Sequence, residues 1–62
     1  MLVKIFLNHL SDYETIEIIY IDAPISEGKW DLISKIPNEY LDKTIHDISF
    51  RDENILITIY ES

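Results

Sequence analysis

The chain contains no cysteine, one glycine, two prolines and only five Lys and Arg residues among its 62 residues. Without cysteine, neither a disulfide nor a thiolate-bound zinc ion can stabilise so short a domain. The single Gly28 excludes a glycine-rich loop that would hold a phosphate. Five cations against 12 Asp and Glu give a formal charge of −7. Because nucleic acids and anionic lipids are bound through Lys and Arg, we expect no direct nucleic acid partner and no membrane partner.

Long apolar runs are also missing, since a charge interrupts each one within a few residues. No segment approaches the roughly 20 apolar residues that span a bilayer. Residues 1–7 contain one charged side chain, that of Lys4, and no small-residue cleavage site follows them. We therefore expect no secretory signal, and a cytoplasmic location. Apolar residues nevertheless make up 47% of the chain, which predicts one folded domain over residues 1–62.

Alternation of apolar and polar residues predicts four strands. Their segments are 2–7, 14–22, 45–51 and 54–61. The polar residues between the first two segments predict an antiparallel hairpin with an open loop. Between the last two segments, a three-residue hairpin is predicted in which Asn54 takes the left-handed conformation.

Residues 26–36 predict a helix between the two pairs of strands. Ser26 suits the N-cap position, and Ile25 can pack on Trp30 as a hydrophobic staple. Pro37 ends this helix and begins one further helical turn. The expected fold class is therefore α+β, a small antiparallel four-stranded sheet with one helix in the order ββαββ.

A single helix of about ten residues covers only one face of such a sheet. The uncovered face should then be polar, yet the alternation leaves an apolar group on it: Leu2, Phe6, Ile19, Ile21, Leu56 and Tyr60. An apolar patch rimmed by charge is typical of a protein interface. A homodimer, or a sheet that curls over its own back, would equally account for this group.

Patterns for catalysis and metal binding are weak. The two histidines each lie near one carboxylate, His9 by Asp12 and His46 by Asp47, without the helical spacing of a ligand pair. No serine lies in a sharp glycine-lined turn beside a base. We therefore expect no enzyme activity, no metal and no cofactor.

Acidic residues occur in every predicted segment, and solubility is the ordinary explanation. A sharper hypothesis is that some carboxylates imitate nucleic acid phosphates and fill a basic groove on a partner protein. The candidate partner-binding residues are Glu14, Glu17, Asp22, Glu27, Asp31, Tyr13 and Tyr60. Five of them are carboxylates, expected to cluster at the end of the second strand and on the exposed helix face: Glu14, Glu17, Asp22, Glu27 and Asp31.

The expected function is a stoichiometric inhibitor or modulator that binds a basic protein surface, as phage anti-host proteins and DNA mimics do. The Ile-rich, Lys-poor composition is similar to that of small phage or mobile-element products, although no motif carries this likeness. Two alternatives remain open at this point. One is a homo-oligomeric accessory subunit, and the other is an antitoxin or immunity protein.

Overall fold

Two central strands that run in parallel organise the fold. The structure is a computed structural model that describes residues 1–61. Its elements are α1 Val3–Leu7, β1 Ile16–Tyr20, β2 Ala23–Trp30, a 3-10 turn Ile33–Lys35, α2 Asn38–Leu41, β3 Ile45–Arg51 and β4 Asn54–Ile59. The strands form one sheet in the order β2-β1-β4-β3. The outer pairs are antiparallel and the central pair β1–β4 is parallel, so the domain is α+β with a mixed sheet.

The parallel pair supplies the centre of the core. Its register is unbroken, with Ile16 opposite Ile55 and Ile18 opposite Ile57. Ile16, Ile18, Ile57 and Ile59 are fully buried on one face of the sheet. Alternate residues of a strand share a face, and β-branched side chains pack well on such a pleated surface. The short isoleucine-rich strands therefore form the most buried part of the domain.

The two short helices cover this face. Val3 and Leu7 of α1, together with Ile36 and Tyr40, complete the buried cluster over the sheet. The N-terminal segment also lies along the beginning of β3, where the Ile45 N–H donates to the Met1 carbonyl at 2.8 Å. Within residues 1–61 the helices therefore close the core from one side only, and the opposite sheet face, hereafter the open face, has no helix on it.

The strand predicted over residues 2–7 is wrong, because Val3–Leu7 is a helix. Val3 and Leu7 are four residues apart, a spacing that places both on one side of either a helix or a strand. The two structures differ at Ile5, which a strand would bury with them and which is 45% exposed here. In so short a segment the periodicity alone does not separate a helix from a strand.

The helix predicted over residues 26–36 is also wrong, since β2 extends to Trp30 and only a 3-10 turn follows. Ser26 is not a helix cap, and Ile25 is 74% exposed and so forms no staple. Edge strands tolerate Pro24, which lacks an N–H. A Cβ on Gly28 would lie 2.8 Å from the Trp30 ring. Gly28, which has no side chain, therefore leaves room for the Trp30 ring to pack over the strand. Helix propensity is a local property and does not predict this contact.

The predicted all-antiparallel ββαββ order is wrong as a consequence. The first hairpin joins β1 to β2, with Tyr20 opposite Ala23, and it replaces the hairpin predicted between residues 2–7 and 14–22. The later strands are confirmed, and so is the helical turn after Pro37, which is α2. The β3–β4 hairpin has a two-residue turn because Arg51 is opposite Asn54. Asp52, not Asn54, takes the left-handed conformation with φ of 56°.

Among residues 1–61, no helix has the length and apolar character needed to cross a membrane.

Ile57→Val is expected to lower the free energy of unfolding by about 1 kcal/mol, because it removes one methylene from the closed core. Urea denaturation followed by circular dichroism measures this loss. The matched control is Ile25→Val on the exposed β2, where we expect a change within about 0.5 kcal/mol. Equal losses at the two positions would contradict the placement of β4 at the centre of the sheet.

Candidate protein-binding surface

Carboxylates dominate the surface of the domain. Ten of the 12 acidic side chains are exposed: Asp12, Asp22, Glu27, Asp31, Glu39, Asp42, Asp47, Asp52, Glu53 and Glu61. In the part of the chain that the structure describes, one ion pair lies within 4 Å, between Lys4 and Asp42 at 2.9 Å. Both of its members are exposed, so the pair contributes little to stability. Most of the negative charge therefore faces solvent without a directly paired cation.

The predicted binding residues divide between the two ends of the sheet. Because β1 and β4 are parallel, both begin at one end, hereafter the starting end, and both finish at the other, the finishing end. Tyr13 and Glu14 precede β1, and Asp31 follows β2, which finishes opposite the beginning of β1. These three residues therefore belong to the starting end. Asp22, in the β1–β2 turn, and Tyr60, directly after β4, belong to the finishing end.

Glu27 and Asp31 are exposed as expected, but they do not lie on a helix. Glu27 belongs to β2, and Asp31 comes directly after that strand. Tyr13 is 83% exposed and Tyr60 is 40% exposed, so both rings reach the surface. Tyr60 is fixed by His46, whose Nδ1 lies 2.9 Å from the tyrosine hydroxyl oxygen. One expected surface cluster is thus replaced by two groups at opposite ends of the strands.

A cluster that extends from Trp30 over the core face to Tyr20 at the finishing end combines carboxylates with aromatic rings. Tyr40 is buried between Tyr20 and Trp30, with ring centroids 6.3 Å and 5.6 Å away. Its hydroxyl donates a hydrogen bond to Oε1 of Glu27 at 3.1 Å. Offset and tilted aromatic pairs at these distances are stabilising beyond the area that they bury. The cluster therefore holds the Glu27 carboxylate at a defined position on an otherwise exposed strand.

Glu39 and Glu61 extend this group. Burial, followed by the charges of Glu27, Glu39 and Glu61, raises the pKa of the Tyr20 phenol. Burial raises the pKa of Tyr40 to about 12, with further contributions from hydrogen bonding and charge at Glu27 and Glu39. We call these five residues, Tyr20, Glu27, Glu39, Tyr40 and Glu61, the tyrosine patch.

Lys43 is the cation of the tyrosine patch. Its Nζ lies 6.0 Å from the centroid of the Tyr20 ring and donates to the Glu61 carbonyl at 2.5 Å. A cation over an aromatic face is attracted by the ring quadrupole. Since the patch contains three carboxylates and Lys43 adds one positive charge beside it, the group keeps a net negative charge.

The sequence patterns did not predict the tyrosine patch as a unit. Glu27 was a candidate, but Glu39, Glu61 and the two tyrosines were not. A local signal exists only for Glu39, which is adjacent to Tyr40 in the predicted helical turn. Glu61 reaches the group because β4 is paired in parallel with β1, a contact between distant parts of the chain.

Glu17, also a predicted binding residue, lies on the open face but is only 5% exposed. It is opposite Lys29 on β2 and Leu56 on β4, and Leu56 is equally buried. Its Oε1 is buried without a hydrogen-bond partner. Glu17 therefore does not present its carboxylate to a partner in the way that the exposed acidic residues do.

Of the apolar group predicted on the uncovered face, only Ile19 and Leu56 lie within a strand of the open face. Leu2 and Phe6 belong to the N-terminal segment, and Phe6 packs against the buried cluster on the other side. Ile21 lies in the β1–β2 turn. The apolar part of the open face is therefore smaller than expected, and charged or polar side chains surround it.

Residues 1–61 contain no group of three or more His, Asp and Glu side chains that could hold a metal ion. No pocket is found in the described part of the domain. The arrangement offers carboxylate acceptors and aromatic rings at the surface, which are suited to contact with another macromolecule.

The tyrosine patch is expected to make stability fall in alkaline solution. Tyr40 has a folded-state pKa of about 12, above its ordinary value of about 10, so only the unfolded chain loses this proton between these pH values. The contribution is complete below pH 10 and is lost as pH rises towards 12, by about 2 to 3 kcal/mol. Urea denaturation at several pH values from 9 to 12 measures this slope.

Tyr40→Phe should have a shallower alkaline slope, and Tyr13→Phe, at an exposed position, should keep the slope of the unmodified chain. Identical slopes in all three proteins would contradict the proposed environment of Tyr40.

Glu17→Gln is expected to raise the free energy of unfolding by about 1 kcal/mol, because an unpartnered buried oxygen costs more when it is charged. Glu53→Gln, at an exposed turn, is the control and should change stability by less than about 0.5 kcal/mol. Urea denaturation at pH 7 compares the two variants. A loss of stability in Glu17→Gln would contradict this account of the buried oxygen.

Comparison with protein-family models, with curated proteins and with solved structures gave no match for this chain. Its function must therefore be inferred from its own charges, aromatic contacts and strand edges.

Proposed function

We propose that this chain is a small acidic protein-binding module that occupies a basic surface of a partner protein. It acts stoichiometrically, as an inhibitor or modulator, and the surface that it occupies is one that binds nucleic acid. The observation that carries this proposal is the set of ten exposed carboxylates with almost no paired cations. A surface of this kind attracts a basic groove over distances of about a Debye length and speeds association.

Charge density indicates how much of a nucleic acid such a module can replace. The domain is 28 Å long and carries a net charge of −7. Duplex DNA carries one charge per 1.7 Å, or roughly 16 charges over the same length. The module therefore competes for part of a binding groove and does not reproduce a whole duplex. Contacts other than charge are needed to give the complex a long lifetime.

The half-buried Tyr20 and the exposed carboxylates of the tyrosine patch supply such contacts in this proposal, and the buried Tyr40 holds them in place. Tyrosine is enriched at protein interfaces because its ring is apolar and its hydroxyl can still form a hydrogen bond. The ring stacking at Tyr40 and its hydrogen bond to Glu27 hold the patch in one arrangement before binding. A preformed patch loses little conformational entropy on binding. We therefore assign the finishing end of the sheet to the partner interface.

The test uses the immobilised chain to capture proteins from a lysate of its source, with elution in steps of salt. We expect nucleic-acid-binding proteins to be retained at low ionic strength and released by about 0.5 M salt, because screening weakens exposed charge contacts. Excess duplex DNA should release the same proteins, since both ligands compete for one groove. Capture that survives both salt and DNA would contradict the proposal.

Matched charge reversals locate the interface. Asp22→Lys with Glu39→Lys reverses two exposed charges at the finishing end, and we expect at least tenfold weaker binding of the captured protein. Asp12→Lys with Asp31→Lys makes the same change in net charge at the starting end and should have the smaller effect. Equal effects of the two pairs would mean that binding depends on net charge alone and that the tyrosine patch is not part of the interface. Circular dichroism confirms that each variant is folded.

A further inference from the structure

The two edges of the sheet differ in how well they are protected. On β2, Pro24 lacks an N–H, Lys29 adds a charge, and the pairing with β1 is irregular after Ile18. Each of these features discourages another strand from pairing with an edge. On β3, residues 47–51 are in regular register with β4 and include no proline, and their two charges, Asp47 and Arg51, are of opposite sign and can pair with each other across two copies of this edge. The β3 edge is therefore the less protected of the two.

The N-terminal segment covers only the beginning of β3. Leu2 bridges to Thr44, and the Ile45 N–H donates to the Met1 carbonyl. In the part of the chain that the structure describes, no named strand pairs with the outer side of residues 47–51. Arg51 and Asn54 close a two-residue hairpin, so the backbone groups of Arg51 and Ser49 hydrogen-bond to β4. Because this pattern alternates along an antiparallel strand, the N–H and C=O groups of Ile48 and Phe50 point away from β4, towards the free edge.

Phe50 shows that this edge is apolar as well as open. It is opposite Ile55, a core residue, so it lies on the core face of the sheet, and yet it is 80% exposed. Ile48, opposite the fully buried Ile57, lies on the same face and is half-buried. The apolar surface of the core thus continues to the edge of β3 and stops there uncovered.

We propose that β3 pairs with β3 of a second copy of this chain, antiparallel, about a two-fold axis at Ser49. In this register Ile48 is opposite the second copy's Phe50, and Asp47 is opposite the second copy's Arg51. Both contacts occur twice because of the symmetry, and β-branched–aromatic and opposite-charge pairs are favourable across strands. The outward N–H and C=O groups of Ile48 hydrogen-bond to those of Phe50 in the second copy. The result is a continuous eight-stranded sheet.

Charge complementarity selects this register over its neighbours. An axis at Phe50 places Asp47 opposite the second copy's Glu53, which is repulsive. An axis at Ile48 places Asp47 opposite Ser49 and loses the ion pair. The register of the two β3 strands can change only in steps of two residues. The axis is perpendicular to the sheet, and side chains opposite each other must lie on the same face.

Sedimentation equilibrium over a range of concentrations tests the dimer. Asp47→Arg places two arginines opposite each other at both symmetric positions, and Arg51→Asp does the same with two aspartates. We expect each variant to weaken dimerisation by about tenfold or more. Mixing the two variants restores both ion pairs, so a one-to-one heterodimer should form with an affinity near that of the unmodified chain.

Asp12→Arg, which makes the same change in charge as Asp47→Arg at an exposed site away from β3, is the control and should not weaken dimerisation. Two results would overturn the proposal. One is a chain that stays monomeric at millimolar concentration, and the other is a dimer that is indifferent to the charge exchange. Neither result affects the proposed function, because the charge reversals that test it lie outside β3.

Discussion

The parallel pairing of β1 with β4 is the constraint on which the rest of the domain depends. Parallel neighbours cannot be joined by a tight turn, so the chain between them must leave the sheet and return. Residues 21–53 do this by adding β2 to one side, crossing the core face with the 3-10 turn and α2, and adding β3 to the other side. The most buried isoleucines are therefore central, and both edge strands are partly exposed.

This arrangement also determines where charge and aromatic rings meet. The finishing ends of β1 and β4 lie side by side, which brings Glu61 towards Tyr20, while α2 and β2 bring Tyr40 to Glu27. An exposed carboxylate in isolation contributes mainly to solubility. Carboxylates held around stacked rings form a surface of defined shape, which a partner can recognise by geometry as well as by charge.

The two edges of the sheet give the domain two different kinds of surface. Proline, lysine and an irregular register protect β2, whereas β3 continues the apolar core to an uncovered edge at Phe50. A second copy on β3 would leave the tyrosine patch accessible, because the patch contains no residue of β3. A dimer would then present two acidic patches, and a partner with two basic sites would be bound more tightly than by one module.

Local sequence patterns were enough to predict the charge, the α+β class, the strands β1, β3 and β4 and the helical turn after Pro37. Each has a local cause, such as period-two alternation of β-branched residues or the restricted backbone of proline. At residues 3–7 the spacing of Val3 and Leu7 fits both a helix and a strand, and at residues 23–30 the strand depends on pairing with β1 and on the space that Gly28 leaves for Trp30. There the free energy of packing against β1, β4 and Tyr40 exceeds the small differences in local propensity. The strand order, and with it the tyrosine patch, depends on contacts between residues far apart in the chain, for which no local pattern exists.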